Sequence, residues 1–235
     1  MSALINFLED SAVWGVLLTL GAYALGAVIN RKTGKAIFNP LLLGSIFVIV
    51  ILSVLNISYS DYKSSASPVS YLLLPATVSL AIPLYEKLEL LKKNFVAIFA
   101  GIAAGTLVSL GSAWLLAVLL QLEKQQYITI LPKSVTTAIS MDVSAELGGI
   151  AALTGAIVIL TGIAGNLMAD VLCKVFRITD PIAKGIAIGT SSHAVGTSKA
   201  LEMGEVEGAM SGLSIAVAGV MTAVLCPVFS NFIAA

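Results

Sequence analysis

Hydrophobic and polar positions along this chain fall into long blocks. Six stretches carry no Asp, Glu, Lys or Arg: Ser11–Asn30, Ala36–Ser60, Ser64–Tyr85, Asn94–Leu122, Leu147–Ala169 and Gly208–Ala235. Crossing a hydrocarbon core of about 30 Å takes about 20 residues at about 1.5 Å each, and these blocks have that length. Backbone groups in lipid need partners inside their own segment, so the spanning elements must be helices. None of the blocks alternates as a barrel strand would. The pattern predicts an all-α integral membrane protein.

Composition supports this and charge refines it. The chain has 235 residues, 58% hydrophobic and 11% charged, where soluble domains are about a quarter charged. Thirteen basic residues balance thirteen acidic ones, so nothing points to nucleic acid. Glu9 and Asp10 precede the first block and no Lys or Arg does, which is not the pattern of a signal peptide. Basic clusters follow the first block (Arg31, Lys32, Lys35), the third (Lys87, Lys92, Lys93) and the fifth (Lys174, Arg177, Lys184). Lys and Arg favour the cytoplasmic side, which predicts an outside N-terminus and these clusters inside. On that parity Tyr127–Glu146 cannot cross and either dips in and returns or packs at the interface, and Pro181–Met203 has to cross. The expectation is about seven transmembrane helices plus one re-entrant element. Cys173 and Cys226, far apart in sequence, read as small buried hydrophobes.

The order of elements suggests a single domain over 1–235 built from repeats at 36–122 and 147–235, each with one discontinuous helix. Pro75-Ala-Thr-Val-Ser-Leu-Ala81 would be one interruption and His193-Ala-Val-Gly-Thr-Ser-Lys-Ala200 the other. The parity makes the two units opposite in direction. Inverted repeats with broken helices are a recurring transporter architecture with a midplane site.

Two segments carry polarity that a lipid-facing helix would avoid. In Leu131-Pro-Lys-Ser-Val-Thr-Thr-Ala-Ile-Ser-Met-Asp142, Pro132 suits a first helical turn. Lys133, Ser134, Thr136 and Thr137 would then surround free N–H groups and could cradle a carboxylate; a capped loop with a snorkelling lysine is the alternative. Asp142 and Glu146, four apart, share a face and read either as a proton-carrying pair or as a wet interfacial surface. In Gly185–Lys199, Thr190, Ser191, Ser192, His193, Thr197 and Ser198 concentrate polarity at mid-span, and Gly196 permits a helix break. His193, the only histidine, suits proton coupling or helix packing against a hydroxyl. Pro75 would kink its span, with Thr77 and Ser79 following. Pro83 and Tyr85 read as a helix end with an interface anchor. Gly101/Gly105 and Gly208/Gly212 read as helix-packing pairs. Phosphate-loop, Gly-x-Ser-x-Gly and His-Glu-x-x-His signatures are missing, one histidine makes a metal site a poor reading, and neither an enzyme nor a cofactor is expected.

The motifs that carry a resemblance are Leu131-Pro-Lys-Ser-Val-Thr-Thr137, Gly148-Gly149 with Leu153-Thr154, Thr161-Gly-Ile-Ala-Gly165, Asp180-Pro-Ile-Ala-Lys-Gly-Ile-Ala-Ile-Gly189, His193-Ala-Val-Gly-Thr197 and Glu205-Val-Glu-Gly208. Leu18–Tyr23, Asn39–Leu42, Pro75–Thr77 and Pro83–Tyr85 extend it over nearly the whole chain. Together they resemble the antiholin-like LrgB/CidB family. Ala138, Leu74 and Lys199 depart from its usual residues. The resemblance implies either of two activities. One is transport of small monocarboxylates such as pyruvate, glycolate or glycerate, the main expectation, with His193 and Asp142 as candidates for proton coupling. The other is a holin/antiholin-like pore or regulator of murein hydrolase activity and cell lysis. It also implies a multi-pass protein of the bacterial inner membrane, a small LrgA/CidA-like membrane partner, and room for a homo-oligomer. Expected substrate contacts are Pro75, Thr77, Lys133, Ser134, Thr136, Thr137, Thr190, Ser192, His193, Gly196, Thr197 and Ser198.

Overall fold

A computed structural model describes residues 13–33, 38, 40–72, 75, 78–79 and 81–233. Every regular element among them is helical. Among the described residues, three helices are long and apolar enough to cross a membrane: Phe95–Leu119, Ala151–Val175 and Glu205–Phe229. The chain divides into two compact units, Met1–Ser79 and Leu80–Ala235.

In the first unit, α1 (Trp14–Thr33) packs along α2 (Pro40–Leu55), α3 (Tyr59–Ser65) and α4 (Ser67–Tyr71). Close approach sets these contacts, since a Cβ on Gly26 would meet the Pro40 carbonyl oxygen at 2.9 Å. Ser58 starts α3 by accepting from the Asp61 N–H at 3.2 Å. Thr19 Oγ1 and the Tyr62 hydroxyl, 2.9 Å apart, tie α1 to α3. The run Ser64–Tyr85 was expected to span. Within its described part a turn at Ala66 separates Ser64 and Ser65 from the helix that Pro68 helps start, and residues 73, 74, 76, 77 and 80 of the run lie outside the described residues.

The second unit contains α5 (Ala81–Glu86), α6 (Leu88–Lys93), α7 (Phe95–Leu119), α8 (Lys124–Ile130), α9 (Thr137–Leu147), α10 (Ala151–Val175), α11 (Pro181–Met203) and α12 (Glu205–Phe229). On α7 the buried positions Ile98, Ile102, Thr106, Leu110, Ala113 and Ala117 form one stripe. Its other faces expose Val96, Val108, Leu115 and Leu119. A helix apolar all round belongs in lipid. One core joins Ile98 and Ile102 to Ile186, Ala209 and Met210, and a second joins Leu110, Ala113 and Ala117 to Tyr127, Leu131 and Cys226. Cys173 and Cys226 are buried free thiols.

Contacts fix the course of the chain. The start of α7, the end of α10 and the start of α12 lie at one end of the unit: Lys87 pairs with Glu205 at 2.9 Å and Lys184 with Glu207 at 3.8 Å. We call this the basic end. From the opposite end, α8 and α9 enter and return as one hairpin. A capping box of Glu123 and Gln126 starts α8, and Gly148, at φ 93°, ends α9 in the left-handed conformation a C-cap favours. Polar groups inside this hairpin are satisfied locally. Thr154 of α10 is fully buried, and its hydroxyl lies 2.7 Å from Ser144 Oγ and 2.9 Å from the Thr129 carbonyl. Thr154→Val should therefore lower stability by about 1–3 kcal/mol by orphaning those partners; an unchanged thermal midpoint in detergent would contradict it.

The structure corrects the course of Pro181–Met203, which does not cross. Gly185 lies against Glu207 and Met210, and Gly189 against Ser211 and Ser214, so the first half of α11 runs alongside α12 in the same direction. Thr197 lies 2.7 Å from Ser211, and Leu201 lies against Gly208, so the second half runs back. Lys199 accordingly reaches Asp170 near the end of α10, at 2.9 Å. A straight helix would separate residues 185 and 201 by about 24 Å. α11 is a second hairpin, entering and leaving at the basic end, and α12 then runs to the opposite end. The parity from the basic clusters assumed a single pass through this segment, which its length allows.

Candidate functional site

The turn of α11 is made at His193, whose backbone sits at φ 43°, ψ −142°. That region favours glycine and costs a residue with a Cβ on the order of 1–3 kcal/mol. Side chains fix it there. His193 is buried and its Nε2 lies 2.9 Å from the Val158 carbonyl oxygen on α10. A carbonyl only accepts, so Nε2 carries the hydrogen. Gly162 makes room for the ring, since a Cβ there would meet Cε1 at 2.6 Å. Gly165 does the same for Ser192, whose Oγ would overlap a Cβ.

The other predicted residues of α11 gather around this turn. Thr190 is buried, donates to the Ile186 carbonyl at 2.8 Å and lies against Gly105 of α7. Ser192 Oγ lies 2.9 Å from Ser191 Oγ. Thr197 donates to the His193 carbonyl at 3.0 Å. Ser198 is exposed and donates to the Val195 carbonyl at 2.7 Å. Gly196 is buried in the returning half; the break falls at His193, the first residue of the expected interruption His193–Ala200, rather than at Gly196 within it. Asn166, which sequence reasoning passed over, donates to the Val195 carbonyl at 2.9 Å and to Ser198 Oγ at 3.2 Å. An amide side chain inside an uncharged block was the signal that could have found it.

The first hairpin turns through residues 131–136. Pro132 lies in this turn, and α9 starts later, at Thr137, with Thr136 as its N-cap. The predicted first-turn role of Pro132 is therefore corrected: its carbonyl accepts from Ser140 at 2.7 Å, which closes the turn. Lys133 and Ser134 precede the helix. Ser109 of α7 donates to Ser134 at 2.7 Å, and Lys133 Nζ reaches Ser109 and Ser134 at 3.5 and 3.4 Å. Among the described residues no carboxylate pairs with Lys133. Asp142 and Glu146 are exposed on α9, and Asp142 makes no ion pair or hydrogen bond with His193 among the described residues. Pro75 is helical and exposed in the first unit, and Thr77 lies outside the described residues.

These features define a helical integral membrane protein with two hairpins that enter from opposite ends and turn on polar residues. Such interrupted backbone is tolerated at membrane depth where protein buries it. The LrgB-like family model matches residues 19–232. Antiholin-like protein LrgB of Bacillus subtilis (strain 168) is 37% identical over 224 residues, covering 95% of this chain and 97% of that protein. Antiholin-like protein LrgB of Bacillus mycoides (strain KBAB4) is 36% identical over 221 residues, 94% and 96% of the two chains. No solved structure matches the chain. The chain belongs to the LrgB-like family.

Proposed function

We propose that this protein acts as an antiholin-like membrane protein of the bacterial inner membrane, restraining lysis together with a small LrgA/CidA-like membrane partner. The observation that carries this reading is near full-length similarity to proteins named antiholin-like. The relatives' names reverse the order of the sequence expectation, which put monocarboxylate transport first. Expression beside a holin in a bacterial host is expected to delay the fall in culture turbidity; unchanged timing, with the protein present in the membrane, would sink the reading.

A specific observation favours a second reading, transport of a small monocarboxylate. Two polar hairpin turns and a lysine without a carboxylate partner among the described residues lie inside a membrane unit, where charge-assisted bonds are strong. In proteoliposomes this reading expects saturable uptake of labelled pyruvate or glycolate without dye leakage. Leakage that scales with protein, and no saturable uptake, would count for a pore. His193→Ala should change the pH dependence of uptake if the imidazole carries the coupled proton.

A further inference from the structure

The two hairpins meet near the middle of the second unit, and three helices measure the gap between them independently. On α7, Gly105 lies against Thr190 of the second hairpin, and Ser109, four residues on, bonds Ser134 of the first. Positions four apart share one face of a helix. On α10, Gly155 lies against Thr137 and Met141, and Val158, three residues on, holds His193. On α12, Ser214 lies against Gly189 and Gly219 lies against Ile139. Residues three to five apart are separated by about 5–8 Å along a helix. All three rulers place the tips roughly one turn apart.

The hairpins also correspond in sequence. Glu146-Leu147-Gly148 ends the first and Glu202-Met203-Gly204 the second, and each leads within a few residues into a 25-residue spanning helix. In the same register Ser134 falls on Thr190, Thr136 on Ser192, and Thr137-Ala138-Ile139 on His193-Ala194-Val195. Lys133 falls on Gly189, so the paired tips bring one cation rather than two. A groove of about 500 Å³ runs from Asn94 and Asp180 at the basic end, past Gly101, to Gly105 and Thr190. It leads from that end as far as Thr190 on the second tip.

We infer that residues 124–175 and 181–229 form an inverted repeat whose two tips close one shared site for a small, singly charged anion, with Lys133 as its cation, the Ser134 hydroxyl as a donor, and Ser109 and Thr190, whose hydrogens go to Ser134 and to the Ile186 carbonyl, lining it. The repeat is cut differently from the one suggested by the uncharged blocks. Anions would reach the site from the basic end along the groove, over a floor of small residues. This deepens the transport reading and rests on it only for the choice of pyruvate as a probe.

The test uses the full chain in membranes, with Cys173 and Cys226 replaced by alanine and a protease site in the 176–180 connection. A short bifunctional thiol reagent is expected to join Ser134→Cys to Thr190→Cys, so that the protease fragments stay linked, and to leave Ser134→Cys and Leu201→Cys unlinked. Pyruvate or chloride is expected to slow alkylation of Thr190→Cys. Adding Lys133→Gln from the other hairpin should raise the half-protecting concentration by about tenfold or more, the usual worth of a hydrogen bond to a charged group. Lys133→Arg should keep most of the protection. Absence of the 134–190 link, or linkage of 134 to 201, overturns the tip geometry. No protection by either anion, or protection indifferent to Lys133→Gln, overturns the anion site. Neither readout needs transport, so missing saturable uptake would sink the transport reading and leave this one standing.

Discussion

Gly185→Ala combined with Gly189→Ala is expected to release the second hairpin from α12 and lower the thermal midpoint more than any single polar substitution in the unit. A Cβ at Gly185 would meet the Glu207 carbonyl oxygen at 2.5 Å, and one at Gly189 would meet the Ser211 carbonyl oxygen at 2.5 Å and Ser214 Cβ at 2.7 Å. Both carbonyl oxygens are backbone atoms of a spanning helix and a Cβ is fixed to that backbone, so no side-chain rotation relieves the overlap. Overpacking of this kind costs about 1–3 kcal/mol per site. With two adjacent sites, and about 2–4 °C per kcal/mol for a chain of this size, the midpoint should fall by about 4–24 °C. The comparison is Gly111→Ala, where a Cβ meets nothing within 4 Å. Equal midpoints for the two variants, read by monodisperse elution after heating in detergent, would contradict the parallel course of α11 beside α12.

The same glycines show why part of the fold was legible and part was not. Uncharged length alone identified α7, α10 and α12, because a membrane selects for it over a whole span. The parity set by the basic clusters also marked Tyr127–Glu146 as unable to cross. Pro181–Met203 has the length of a span, and its polar centre is equally compatible with a kinked crossing and with a return. What decides for return is tertiary: Gly185 and Gly189 admit α12 on one side, and Thr197 and Leu201 meet the same stretch of α12 on the way back. Hydropathy carries no direction, so this was invisible to it. The break was expected within His193–Ala200, with Gly196 as the residue whose backbone freedom is intrinsic. It occurs at His193, held by a carbonyl thirty-five residues away in sequence. Ser109 and Asn166 were missed for the same reason, since an isolated polar residue in an apolar block declares its partner only once the hairpins are in place. The repeat expected at 36–122 begins in the first unit, and residues 76, 77 and 80 of its expected interruption, Pro75–Ala81, lie outside the described residues.

His193 offers the second large effect, and two substitutions separate its backbone role from its side chain. His193→Val keeps a Cβ in a conformation that β-branched residues avoid at positive φ, adds strain on the order of 1–3 kcal/mol, and removes the bond to Val158. His193→Gly also removes the imidazole but takes φ 43° without penalty. Both variants lose the hydrogen bond, worth about 1 kcal/mol, and both leave space between α10 and α11 beside Gly162. Their difference therefore reports the turn itself. The expected order of stability is wild type, then glycine, then valine, with valine lower than glycine by about 1–3 kcal/mol. A straight crossing helix would give the opposite order of the two variants, because glycine is the poorer helix former by several tenths of a kcal/mol. If valine proves more stable than glycine, the second hairpin does not turn at His193, and the shared site between the tips goes with it.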